Sequence, residues 1–228
     1  MKIKDYKLFL ESHQTEESVK EICQKYRIKN WSINSEGLVD VDGSVDLYAS
    51  LLSEGLTKLP LKFGNITGKF DCRNNQLTSL EGAPIKVHND FFCSENELTS
   101  LEECPIEVGG YFYCYGNKLT SLEYSPKSVG GDFDCSYNQL TSLVGGPEVV
   151  LGYFICTDNK IESFEGFPED FDRGLVSFDN NPVEKVLDQF PEEMYVKAIH
   201  LINDYDAIWN GEVVPERLEM VKEKLGLS

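Results

Sequence analysis

One interval governs this chain. Cys72, Cys93, Cys114, Cys135 and Cys156 follow one another every 21 residues. Two residues before each cysteine stands a phenylalanine (Phe70, Phe91, Phe112, Phe133, Phe154), and three residues after it an asparagine (Asn75, Asn96, Asn117, Asn138, Asn159). Apolar residues follow at Leu77, Leu98, Leu119, Leu140 and Ile161, then at Leu80, Leu101, Leu122, Leu143 and Phe164. Pro84, Pro105, Pro126, Pro147 and Pro168 close the copies. A fixed period of this length means that each unit is one supersecondary element unable to bury its apolar face alone. Stacking is therefore obligatory, and the chain is expected to fold as a solenoid.

The unit F-x-C-x-x-N-x-L-x-x-L resembles the leucine-rich repeat, with Phe and Cys in the two inward strand positions. The resemblance implies an α+β leucine-rich-repeat array of about six or seven parallel-strand rungs, strands lining one face over roughly 25–30 Å of stack. The asparagine side chain can satisfy backbone groups that buried irregular turns leave unpaired. The prolines and the pairs Gly109-Gly110 and Gly130-Gly131 are expected to turn the chain on the outer side and return it to the next strand. The pattern weakens toward both ends. Leu175-Val176-Ser177 continues the 21-residue register with Asn180 as its asparagine, and Val45-Asp46-Leu47 reads as an early rung with Leu56 and Leu59 as its leucines and four inserted residues. The stretches WSIN and LVDV around Ser35-Glu36-Gly37 predict a β-hairpin. Thr15, followed by Glu16 and Glu17, marks a helix start, with Val19, Ile22, Cys23 and Tyr26 on one face. After Pro182 the segments VEKVLDQF, EEMYVKAIHLI and PERLEMVKEKL read as helices, the last with Pro215 in its first turn. The expected organisation is an N-terminal helical cap over 1–30, a solenoid over 31–181 and a C-terminal helical cap over 182–228.

At the level of whole stretches, the sequence resembles a family of leucine-rich-repeat proteins of large tailed bacteriophages and some bacteria. Repeats of that family look like GGDFDCSYNQLTSLEGAP, and residues 130–147 here read GGDFDCSYNQLTSLVGGP. The flanks GLVDVDGSVDL and NPVEKV also resemble that family's flanks, so the likeness spans residues 31–210. It implies architecture and a phage accessory role against a host component such as a defence factor, and it carries over no catalytic residue. A second likeness, to the repeat domain of secreted bacterial ubiquitin ligases, lacks their catalytic cysteine, since no cysteine follows Cys156.

Composition narrows the function classes. The net charge of −18 disfavours attraction to nucleic-acid phosphate or anionic lipid, so direct nucleic-acid binding and membrane association are not expected. No run of apolar residues is long enough to span a bilayer, and MKIKDYKLFLESHQ is a poor signal peptide. Seven cysteines, an odd number, point to a reducing compartment, the cytoplasm, or the host cytoplasm for a phage protein. The cysteine ladder could suggest a metal or redox site. Cys is a small hydrophobe often found buried, however, and no histidine shares the register, so core filling is the expectation and no metal or cofactor is. The stretch Asp40–Asp46 looks superficially like a calcium loop, but its glycine falls at the fourth position and Leu51 stands where a bidentate Glu is needed. A hairpin turn is the better reading there. His13, His88 and His200 are scattered, no Ser/His/Asp set assembles, and no enzyme activity is expected.

The outward strand positions are the ones the repeat leaves free. Immediately before the cysteines come Asp71, Phe92, Tyr113, Asp134 and Ile155; immediately after come Arg73, Ser94, Tyr115, Ser136 and Thr157; three before come Lys69, Asp90, Tyr111, Asp132 and Tyr153. Aromatics gather around the third copy. Exposed aromatics rimmed by polar residues have the composition of an interface hot spot. The expected site is therefore a partner-binding face centred on Tyr113, with Phe92, Tyr111 and Tyr115 around it, Tyr137 and Tyr153 nearby, and Asp132 and Asp134 steering a basic protein partner. Two other readings stand beside it: a small-molecule sponge stacking a nucleotide base on the tyrosines, and an acidic mimic of nucleic acid.

Overall fold

A computed structural model of the chain describes residues 15–48, 55–171 and 174–227. The N-terminal stretch read above as a poor signal peptide, together with His13 and Leu51, lies outside the described residues. The helix α1 (Glu16–Lys25) comes first, capped by the Thr15 side chain, which accepts the Ser18 N–H. The strands β1 (Trp31–Ile33) and β2 (Val39–Val41) form the expected antiparallel hairpin. From there the chain winds between two parallel ladders. The turns carry β3 (Val45–Asp46), β4 (Phe63–Ile66), β5 (Phe70–Asp71), β6 (Lys86–Val87), β7 (Phe91–Phe92), β8 (Glu107–Val108) and β9 (Phe112–Tyr113). They continue through β10 (Ser128–Val129), β11 (Phe133–Asp134), β12 (Val149–Val150), β13 (Phe154–Ile155) and β14 (Val176–Ser177). One seven-stranded sheet has the order β1-β2-β4-β6-β8-β10-β12, the other β14-β13-β11-β9-β7-β5-β3. The protein is a parallel-strand β-solenoid of about six turns, each turn giving one short strand to each sheet.

The repeat dictates the interior. The phenylalanines 70, 91, 112, 133 and 154 are wholly buried and stack rung on rung, ring centroids 5.3 to 5.6 Å apart. The ladder cysteines are buried and form no disulfides, and burial pushes their thiols far above the ordinary range at Cys72, Cys93, Cys114 and Cys135. Each asparagine ties two rungs together. Asn138 Oδ1 accepts the Leu119 N–H at 3.0 Å, while its Nδ2 donates to Cys114 O at 3.1 Å and Cys135 O at 3.0 Å. Asn96, Asn117 and Asn159 repeat the bracket, which removes the cost of burying irregular backbone.

Three expectations need correction. The segment between the proline and the glycine pair is a second strand and not an outer turn: Val87, Val108, Val129 and Val150 point inward from it. The glycine pairs, like Asp42-Gly43-Ser44, form the corner between the two sheets, so that stretch is no hairpin turn either. Glycine is needed where rungs approach closely, as at Gly130, whose added Cβ would lie 2.2 Å from Gly109 O. Finally, the last rung is one residue longer. Val176 pairs with Phe154 rather than sitting level with Ile155, Phe178 fills the cysteine position, and Asn181, not Asn180, makes the bracket to Cys156 O.

The early rung stands as expected: Val45 pairs with Phe70, and the Leu56 N–H donates to Asn75 Oδ1. After the last rung come α2 (Glu184–Leu187), a 3-10 turn at Glu192–Met194, α3 (Tyr195–Asp204), the hairpin β15 (Ile208–Trp209) and β16 (Glu212–Val213), and α4 (Pro215–Leu225). Val19 and Cys23 of α1, Ala198, Ile199 and Ile202 of α3, and Leu218 and Val221 of α4 are buried in the same apolar core. Among the described residues no helix is long and apolar enough to cross a membrane.

Candidate functional site

Strand parity places the residue between each Phe and Cys on the outer face of the second sheet. Its central column runs Asp46, Asp71, Phe92, Tyr113, Asp134, Ile155, Ser177 from rung to rung. Four of the expected site residues meet there. Tyr113 lies 5.1 Å from Phe92, 5.7 Å from Tyr111 at an interplanar angle of 12°, and 6.3 Å from Tyr115. Tyr111 is 43% exposed, Tyr113 and Tyr115 are half-buried, and Phe92 is buried at 9%. Phe92 is thus the floor of the cluster and the tyrosines are its accessible part.

Phe92 is covered by Arg73, whose guanidinium lies 4.7 Å from its ring and 5.5 Å from that of Tyr48. Arg73 is in turn held by Asp71, which is almost wholly buried and also meets Lys69. That pairing is the chief reason the Arg73 guanidinium is held even more firmly in its charged form. Reading the columns for aromatics alone missed this Asp71–Arg73–Tyr48 group. The acid two residues before the arginine was the available signal.

The acidic residues take different parts. Asp132 Oδ1 accepts the Tyr153 N–H at 2.8 Å, as Asp90 accepts the Tyr111 N–H at 3.0 Å, so each braces a corner between the sheets. Asp134 is half-buried, and its carboxylate accepts the Ser136 N–H at 2.9 Å. Burial pushes its pKa up, the Ser136 hydrogen bonds pull it down, and Asp132 adds to the rise. Burial first, then Asp132, Tyr111, Asp134 and Asp90, push the Tyr113 phenol up to about 12.

Tyr137 and Tyr153 are exposed, and among the described residues neither makes a ring contact with the cluster. Tyr137 sits at the left-handed turn position shared with Asn74, Glu95, Gly116, Asp158 and Asn180, at the edge of the face. A groove of about 500 Å³ lined by Ala83, Ile85, Cys104, Ile106, Tyr124 and Lys127, and another of about 450 Å³ beside Trp209, contain none of the cluster. No family model, no curated protein and no solved structure matches this chain.

Proposed function

We propose that the protein is a non-catalytic binding module that docks another protein on the strand-lined face of its second sheet, with Tyr113 at the centre. The observation that supports this is the contiguous aromatic cluster of Phe92, Tyr111, Tyr113 and Tyr115 on outward positions that the repeat does not need for its own packing. Rigid aromatic side chains on a stiff ladder lose little entropy on binding, and the half-buried tyrosines already present one edge to a partner. The rungs are of the leucine-rich-repeat type on this reading, and the helices at either end act as caps over the exposed core edges, as terminal units of a solenoid must. On the resemblance to phage repeat proteins, the partner on this reading is a protein of a bacterial host.

The test is an affinity capture from bacterial host lysate with the tagged protein beside its Tyr113→Asp variant, read by mass spectrometry. A charge at the centre of the cluster is expected to weaken the captured complex at least about thirtyfold, the effect of losing one hot-spot side chain. Equal recovery of the same protein by both forms would place binding elsewhere.

A further inference from the structure

Asp71 and Asp134 occupy the same repeat position three rungs apart, in the stretches KFDCRNNQL and DFDCSYNQL. At Asp71 the chain supplies its own cation. Arg73 Nε is 2.9 Å from Oδ1 and Nη2 is 2.7 Å from Oδ2, a paired contact, and Lys69 Nζ is 3.3 Å away. The guanidinium lies between Tyr48 of the preceding rung and Phe92 of the following one.

At Asp134 the surroundings recur in part. Tyr115 stands in the place of Tyr48, Ile155 in that of Phe92, and Tyr113 lies directly beside Asp134 on the neighbouring strand. Three things differ: aliphatic Ile155 replaces the Phe92 ring, Tyr113 replaces Asp46 on the neighbouring strand, and the flanking Lys69 and Arg73 have become Asp132 and Ser136. Among the described residues no lysine or arginine forms an ion pair with Asp134 or Asp132. The tyrosine end of the aromatic row is therefore rimmed by Asp90, Asp132 and Asp134, while the chain's own Arg73 covers the phenylalanine end and also reaches the Tyr115 phenol.

We propose that the partner of this face inserts an arginine over Asp134, its guanidinium paired with that carboxylate and laid against Tyr113 and Tyr115. This rests on the strand face being the docking surface, and it assigns the partner's chemistry: a basic protein segment led by arginine. Arginine suits the place better than lysine because its planar fork pairs with a carboxylate and stacks on rings at once, as Arg73 does three rungs away.

The experiment is an NMR titration of the full chain with the capped tripeptide Gly-Arg-Gly, and with the same peptide carrying lysine or citrulline, the neutral isostere of arginine. The arginine peptide is expected to give saturating shifts confined to the Tyr111, Tyr113 and Tyr115 ring signals. The lysine peptide should bind about fivefold more weakly and the citrulline peptide not at all. Asp134→Asn, which keeps an acceptor for the Ser136 N–H, should abolish the response, whereas Glu148→Gln, removing the same charge next to β12 of the other sheet, should leave it. Ser136→Arg, which copies the Arg73 arrangement within the chain, should block the peptide. An unchanged response in Asp134→Asn, equal binding of citrulline, or shifts spread over the acidic surface would overturn the proposal. If that happens while Tyr113→Asp still loses the captured protein, the docking face stands and the arginine assignment alone falls.

Discussion

Replacing Phe112 by alanine is expected to lower the unfolding free energy by about 3–5 kcal/mol. The ring is wholly buried and stacks between Phe91 and Phe133 at 5.5 and 5.6 Å. Removing it leaves a cavity in the middle of a continuous column. The walls of that cavity are held at a fixed spacing by the ladder hydrogen bonds Phe91 N to Tyr111 O and Phe112 N to Asp132 O, so they cannot close in. Equilibrium denaturation checks it, with exposed Ile106→Ala as the control expected to change stability by less than about 0.5 kcal/mol. A loss below about 1 kcal/mol for Phe112→Ala would mean that the rungs can collapse onto one another, which the stacked geometry denies.

Asn138→Ala should cost about 3 kcal/mol or more, although it removes little apolar surface. The side chain answers a buried N–H on Leu119, which alanine leaves without a partner, and donates to the carbonyls of Cys114 and Cys135 on two successive rungs, which then keep only the bonds from Asn117 and Asn159. The orphaned N–H costs roughly 1–3 kcal/mol, and each of the two lost hydrogen bonds about 0.5–1.5 kcal/mol more. Asn138→Asp separates this cause from simple loss of volume. It is nearly isosteric and keeps the acceptor for Leu119, but it turns an oxygen toward the carbonyls that now receive N–H bonds. It is expected to be at least as damaging as alanine at neutral pH. If Asp were tolerated, the bracket would be filling space and not satisfying backbone. In a nearest-neighbour array a break in the middle also uncouples the two halves, so the denaturation slope should fall along with the midpoint.

The Phe, Cys and Asn columns were legible because each rung poses the same packing and hydrogen-bonding problem and solves it with the same side chain. The sheet formed by β6, β8, β10 and β12 was not read, although Val87, Val108, Val129 and Val150 keep the 21-residue register. A two-residue strand shows a single inward residue, too little for an alternation to be seen, and the neighbouring Pro and Gly pairs read as turn. The longer last rung escaped because a phenylalanine, Phe178, stands where a cysteine was expected, and fixed spacing then misassigns everything by one. The hairpin at Ile208–Val213 was available in principle: Asn210-Gly211, both at positive φ, is the favoured two-residue turn. It lay between segments already assigned to helices. For the candidate site, parity told which way Phe92 points but not what lies over it. Burial of that ring depends on Arg73, one rung earlier, leaning across under the pull of Asp71. Such cross-rung contacts are set by side-chain reach, which a column of letters does not display.

Strand-face binding is tested most directly by photo-crosslinking, with a benzophenone side chain placed at Tyr115 on the aromatic face or, separately, at exposed Glu148, next to β12 of the other sheet. The expected result is a covalent adduct to one and the same host protein from the first position and none from the second. An adduct from the Glu148 position alone would contradict it, and would move the binding surface to the opposite side of the solenoid.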